Sequence, residues 1–201
     1  MITIALAKGR LLEDIQSYLA DRGLTAYADA LESQGRSLYT VVDQVKFIYA
    51  KGRDVPVYVE RGSADIGFVG SDIITEDSFD LLTIAQLPFG KCHFSLCGLA
   101  GVKEFNTVAT TYEHIAFNYF REKRQKVDLI KLHGSVELAP ILGLADGIVD
   151  IVQTGRTLRD NGLIEYAKIM DVTACLIANR QTFYTKEDEI YPFLKEIGVF
   201  Q

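Results

Sequence analysis

Short apolar runs alternate with segments of helical spacing along this chain, and that alternation limits the fold more than any other feature. The runs 2–7 (ITIALA), 45–50 (VKFIYA), 65–70 (DIGFVG), 92–100 (CHFSLCGLA), 127–132 (VDLIKL) and 147–152 (GIVDIV) have the length and composition of buried strands. A further strand is expected at 106–111, and a late one, MDVTACLIA, at 170–178. Between them, 10–22 carries Leu11, Leu12, Ile15, Tyr18 and Leu19 on one helical face, and 112–123 does the same with Ile115, Tyr119 and Phe120. A short helix is expected over 135–145 and another around Pro192. The runs 37–42 and 45–50, separated only by Asp43-Gln44, predict a hairpin, and Asp54 before Val55-Pro56 predicts a capped helix start. Strand–helix alternation with short connections gives an α/β fold.

The totals narrow the class. The chain has 201 residues, net charge −6 and pI near 5.1. That balance argues against a general nucleic-acid binder, which would show a basic stripe. It leaves open an anionic small substrate, because a few local cations and backbone amides can hold phosphate on an acidic protein. Cys92, Cys97 and Cys175 form no ligand spacing and read as reduced core thiols. No stretch has membrane-spanning length, and the N-terminus lacks a basic leader, so a soluble cytoplasmic protein is expected.

One internal echo suggests duplication. GSADIGFVG (62–70) and GIVDIVQTG (147–155) share Gly-x-x-Asp-Ile-x-x-x-Gly, 85 residues apart. The pattern reads as a helix ending on Gly, an Asp leading into a buried strand, and a Gly that turns the chain. It implies two similar α/β lobes, or else a coincidence of two inexpensive patterns.

The second copy ends in Asp150-Ile-Val-Gln-Thr-Gly-Arg-Thr157. A turn that opens a helix presents unpaired amides and a partial positive charge. Gly155 lets the backbone approach an anion, Thr154 and Thr157 offer hydroxyls, and Arg156 adds a forked cation. Asp150 can accept from a sugar diol. The bland alternative is a capped short helix with Arg156 in solvent. Asp-x-x-x-Thr-Gly-x-Thr resembles the loop by which phosphoribosyltransferases hold the 5-phosphate and ribose hydroxyls of phosphoribosyl pyrophosphate.

A wider set of segments, ALAKGRL (5–11), GRSL (35–38), DVPVYVERGSADIGFVGSDII (54–74) and ELAPILGLADGIVDIVQTGRTL (137–158), resembles the ATP phosphoribosyltransferase family in the right order. The chain's end near residue 201 fits the short form of that family. The resemblance implies two lobes like those of type II periplasmic binding proteins around a cleft. Lobe one would be 1–90 plus 170–201, on the ATP and pyrophosphate side. Lobe two, 91–169, would carry the phosphoribosyl pyrophosphate loop, with hinges near 88–92 and 168–172. It implies attack of adenine N1 of ATP on C1 of phosphoribosyl pyrophosphate, the first step of histidine biosynthesis. It also implies Mg²⁺ carried mainly by the substrate pyrophosphate, and a homodimer within a hetero-oligomer containing a histidyl-tRNA-synthetase-like regulatory subunit. No nucleic acid or membrane partner is expected.

The matching residues are Lys8, Arg10 and Lys51 for the pyrophosphate and catalytic charges. Glu137, Asp150, Thr154, Gly155, Arg156 and Thr157 match the phosphoribosyl pyrophosphate loop, with Glu137 serving ribose hydroxyls or metal, or simply a helix's first turn. Arg36 and Asp65 fall to ATP. The family's Arg-x-x-Asp is replaced here by Lys51-Gly-Arg-Asp54, which keeps the charge but loses the fork unless Arg53 substitutes. His93, His114 and His133 lack ligand spacing; His93 reads as a strand residue. Two other readings remain at this point: a two-lobed binding module without chemistry, and a phosphoribosyltransferase for another base.

Overall fold

The computed structural model describes residues 1–33 and 35–200. In chain order the elements are β1 (Ile2–Ala7), α1 (Arg10–Asp21), α2 (Thr25–Glu32), β2 (Tyr39–Val42), β3 (Val45–Ala50), a 3₁₀ turn (Gly52–Asp54), α3 (Val55–Glu60), β4 (Ile66–Gly70), α4 (Ser71–Glu76) and β5 (Leu81–Gln86). There follow β6 (Cys92–Leu99), β7 (Thr107–Thr110), α5 (Glu113–Glu122), β8 (Asp128–Lys131), α6 (Leu138–Ile141), β9 (Gly147–Val152), α7 (Arg156–Asp160), β10 (Leu163–Val172), β11 (Ala174–Asn179), α8 (Arg180–Thr185) and α9 (Glu187–Glu196). The fold is α/β, with two mixed sheets. The chain divides into two compact units, one of residues 1–74, 78–90 and 173–201, the other of residues 75–77 and 91–172.

The first unit holds the sheet β2-β3-β1-β4-β11-β5. β1 lies parallel to β3 and β4, and β11 is antiparallel to β4 and β5. Both faces of its central strands β1, β4 and β11 are covered, which is why these are continuous apolar runs. Ile2, Ile4 and Leu6 of β1 enter one core with Ile15 and Leu19 of α1 and Phe193 and Leu194 of α9. Ala5 and Ala7 enter the opposite core with Val55 and Val59 of α3. Gly67 of β4 is required there: a Cβ would stand 2.9 Å from methyls of both Val55 and Val59.

The second unit holds the sheet β10-β6-β9-β7-β8. β7 pairs in parallel with β8 and β9, and β6 runs antiparallel to β9 and β10. Ile148 and Val152 of β9 face the core under α6 and α7, while Val149 and Ile151 face the core with Ile115 and Phe120 of α5. Glu76 accepts the amides of His114 and Ile115 with its two carboxylate oxygens, at 3.1 and 3.0 Å, and so caps α5.

Several expectations change. The run 170–178 is two strands in different sheets, broken at Thr173, whose amide donates to Ser71 Oγ and whose hydroxyl donates to the carbonyls of Leu87 and Phe89. Asp54 makes no side-chain cap, because the 3₁₀ turn already delivers the chain into α3. The helix expected over 135–145 is only Leu138–Ile141, bounded by left-handed Ser135 (φ 47°) and Gly143 (φ 70°). The hairpin is present, with Asp43 left-handed at its turn (φ 51°).

The duplication is real in geometry but shifted by four residues from the echo. Gly62 pairs with Gly143, Ala64 with Ala145 and Asp65 with Asp146, not with Asp150. Each glycine has φ 70° and closes a short helix. The amides of Arg61, Gly62, Ser63 and Ala64 go to Val57, Val59, Tyr58 and Tyr58. Those of Leu142, Gly143, Leu144 and Ala145 go to Leu138, Pro140, Ala139 and Ala139, the same pattern. Asp65 then donates its amide to the carbonyl of Thr3, as Asp146 does to Thr107.

Candidate active site

In the second unit the turn after β9 forms as the residue pattern predicts. Gly155 is left-handed (φ 64°, ψ 12°) at the start of α7, a conformation that disfavours a side chain. Thr154 Oγ1 accepts the Arg156 amide at 3.4 Å, and Arg159 Nη1 donates to the Thr154 carbonyl at 2.9 Å. Asn161 donates to the Thr157 carbonyl at 2.8 Å. Arg156 reaches away from the turn, its Nε 3.5 Å from Asp160, with 83% of its side chain exposed.

Asp150 lies within β9, not before it, on the face shared by Ile148 and Val152. Burial pushes its carboxyl up from an ordinary 3.8 to about 6, with the Ile151 amide opposing and Glu137 reinforcing the rise. Glu137, half-buried at the start of α6, is thus near enough to Asp150 to couple with it. Two carboxylates and a hydroxyl-rich turn therefore converge at the C-terminal end of β9. In parallel α/β sheets ligands bind at that edge, where strand ends and helix starts expose unpaired backbone.

A second set of polar groups flanks this floor. Ser95 is fully buried and stands opposite Asp150 in the β6–β9 register. Its hydroxyl donates to Glu165 Oε2 at 2.6 Å, and His93 Nε2 meets the same oxygen at 2.8 Å. Those bonds hold the Glu165 carboxyl below its usual range. Cys97, two residues on, is pushed up to about 12 by burial, then by Glu165 and Asp150, so it stays a thiol. Sequence reading missed Glu165 and Ser95 and gave His93 no partner. The available signal was the alternation His93, Ser95, Cys97, which places polar side chains on the face of Asp150.

In the first unit, the register Ala7↔Ala50 and the bond from the Lys8 amide to the Ala50 carbonyl at 2.9 Å bring Lys8 and Lys51 side by side just past the ends of β1 and β3. Arg10 follows Gly9 (φ 91°) as the first residue of α1. All three cations are exposed, as is Arg53. Gly52 keeps the strand end tight, since a Cβ there would stand 3.1 Å from Ile73.

Asp65 does not join them. It precedes β4 at the opposite edge of the sheet, roughly 15 Å or more along the strands from Lys8. It is 4% exposed. Its Oδ2 accepts the Thr3 amide at 2.7 Å and its Oδ1 pairs with Lys186 at 3.0 Å. The expectation that Asp65 holds ATP is corrected on those grounds: its carboxylate ties strands. Arg36 stands exposed in the turn before β2, and because β2 pairs antiparallel with β3 (Tyr39↔Ile48) that turn lies at the same edge of the sheet as Lys51.

The two mixed sheets and the glycine turn after β9 define an α/β protein with a polar turn at a strand end. Residues 51–198 match the family described as HisG, ATP phosphoribosyltransferase. The chain is 45% identical over 199 residues to the ATP phosphoribosyltransferase of Staphylococcus saprophyticus, covering 99% of this chain and 97% of that one. It is 44% identical to that of Staphylococcus aureus USA300, covering 99% and 98%. Among solved structures it resembles the ATP phosphoribosyl transferase (HisG:HisZ) complex from Thermotoga maritima, at 31% identity and TM-score 0.83, covering 98% and 96% of the two chains. The chain belongs to the ATP phosphoribosyltransferase family. Among the described residues, no helix is long and apolar enough to cross a membrane.

Proposed function

We propose that this chain transfers the phosphoribosyl group of phosphoribosyl pyrophosphate to adenine N1 of ATP, giving N1-(5-phosphoribosyl)-ATP and pyrophosphate, the first step of histidine biosynthesis. Family membership supports the reaction. The observation that carries the site is the left-handed Gly155 turn, with its two threonines, standing beside the raised carboxyl of Asp150.

The chemistry fits these residues. The lone pair of N1 forms the bond to C1 as the C1–O bond to pyrophosphate breaks, and the bonding electrons leave with pyrophosphate. Adenine N1 needs no base for the attack, so the demand on the protein is charge management. Thr154, Gly155 and Thr157 hold the 5-phosphate through amides and hydroxyls, and Arg156 adds charge at the mouth. Asp150 accepts from the ribose hydroxyls, and Glu137 assists it. Lys8, Arg10 and Lys51 take pyrophosphate or ATP oxygens, with Lys51 in the place where the family carries arginine. Arg36 is the remaining cation assigned to ATP.

Mg²⁺, bound to pyrophosphate, would neutralise the leaving group's oxygens. Among the described residues there is no cluster of three or more His, Cys, Asp or Glu arranged to hold a metal. The ion would be held chiefly by the substrate, with Asp150 and Glu137 the carboxylates nearest the sugar in this reading. By analogy with the Thermotoga assembly, the working enzyme is a hetero-oligomer with a HisZ-like, histidyl-tRNA-synthetase-like subunit, around a homodimer of this chain, in the cytoplasm. Pyrophosphate release from ATP plus phosphoribosyl pyrophosphate, measured with that subunit present, tests the proposal; no release would reject it.

A further inference from the structure

TGRTLR carries two guanidiniums, and only Arg159 is bonded to the backbone of the turn. Arg159, in the last turn of α7, donates from Nη1 to the Thr154 carbonyl at 2.9 Å. The same nitrogen would lie 3.1 Å from a Cβ built on Gly155, and Glu165 Oε1 would lie 3.8 Å from that point. Cation and carboxylate thus bracket the turn. Glu165 is fixed in its turn, because Oε2 takes the Ser95 hydroxyl and His93 Nε2. Arg156 has only the long, exposed contact with Asp160.

We propose that Arg159 is a positioning residue for the phosphoribosyl loop. A glycine turn free to sample both signs of φ would have to be ordered when phosphate binds, and that ordering would weaken binding. A charge-assisted bond to the Thr154 carbonyl orders it beforehand. Arg159 has further N–H groups besides the one given to Thr154, so its positive charge remains beside the place of the phosphate. The inference deepens the reading of the turn as the phosphoribosyl site and rests on it.

Steady-state kinetics of the chain together with its regulatory subunit distinguish the possibilities. Arg159→Ala is expected to raise KM for phosphoribosyl pyrophosphate roughly tenfold, the loss of one charge-assisted hydrogen bond, with kcat and KM for ATP changed less than about twofold. Arg159→Lys, which can still donate to the carbonyl, is expected to recover most of that loss. Thr157→Val reports on the turn itself. If Thr157→Val raises KM for phosphoribosyl pyrophosphate and Arg159→Ala does not, the positioning role is overturned and the site stands. If neither variant changes it, the turn is not the site and both readings fall. If Arg159→Ala impairs both substrates and kcat together, without rescue by Lys, the residue is structural and the inference is overturned.

Discussion

Asp65 and Asp146 do one job at equivalent places in the two units. Asp65 Oδ2 accepts the Thr3 amide at 2.7 Å, and Asp146 Oδ2 accepts the amides of Asn106 and Thr107, each at 2.8 Å. Each Asp also donates its own amide to a carbonyl near the start of a neighbouring parallel strand, Asp65 to Thr3, the second residue of β1, and Asp146 to Thr107, the first of β7. The pair ties neighbouring strands at the N-terminal ends of β4 and β9, while the Gly155 turn stands at the C-terminal end of β9.

Removing either tie should cost stability and leave substrate affinity alone. Asp146→Ala strands two amides and should destabilise by about 1–3 kcal/mol. Asp65→Ala should cost about 2–4 kcal/mol, because it also strips Lys186 of its partner. Urea unfolding measures both. A changed KM for ATP in folded Asp65→Ala, at unchanged stability, would return Asp65 to the substrate site.

The Asp150 carboxyl gives a pH signature. Its folded value, about 6, lies above its ordinary 3.8. Relative to an uncharged group, it therefore contributes stability that is fully present below about pH 4 and is lost as pH rises through 6. Asp150→Asn should accordingly stabilise the chain at pH 8 by about 1–3 kcal/mol. The same substitution should abolish binding of phosphoribosyl pyrophosphate. In the unmodified enzyme, affinity for that substrate should fall as pH drops below 6, where the acceptor becomes protonated. Denaturation at pH 5 and pH 8, with calorimetric titrations at the same values, checks the two halves separately.

Gly155→Val should eliminate binding of phosphoribosyl pyrophosphate while the far-ultraviolet circular dichroism stays native. A β-branched residue at φ 64° costs about 1–3 kcal/mol locally, too little to unfold a sheet of five strands but enough to reshape the turn. Unchanged affinity would remove the turn from the site.

Thr173→Val deletes the hydroxyl that donates to the carbonyls of Leu87 and Phe89 at 2.8 and 3.0 Å. It should lower the unfolding free energy by about 1–3 kcal/mol. Hydrogen exchange at the Ala174 amide, which bonds the Phe89 carbonyl, should quicken. No change in either would mean that the strand break is held by the backbone alone.

The sequence made the fold class readable because β1, β4 and β9 are buried on two faces and spell continuous apolar runs. It made Thr154–Thr157 readable because a glycine between hydroxyl residues at a strand end has few other uses. It misled on the register of the repeat: Gly-x-x-Asp-Ile recurs at two places, but the repeat follows helix closure at Gly62 and Gly143, which the flanking residues of the echo do not mark. It was silent on β10 because that strand is irregular, slipping register at Glu165/Ala167 and at Lys168/Met170, so its apolar residues never alternate cleanly. Glu165 was missed for the same reason: its partners Ser95 and His93 are 70 and 72 positions away. Thr173 was hidden inside an apolar run whose two halves join different sheets, a fact set by hydrogen bonds to distant loops.

The central claim is that the Thr154–Thr157 turn and Asp150 hold phosphorylated ribose. A crystal structure of the chain soaked with phosphoribosyl pyrophosphate tests it most directly. The account predicts the 5-phosphate on the amides of residues 155–157 and the ribose hydroxyls within hydrogen-bond reach of Asp150. A well-occupied ligand whose 5-phosphate sits on other groups, with the Gly155 turn unengaged, would contradict it.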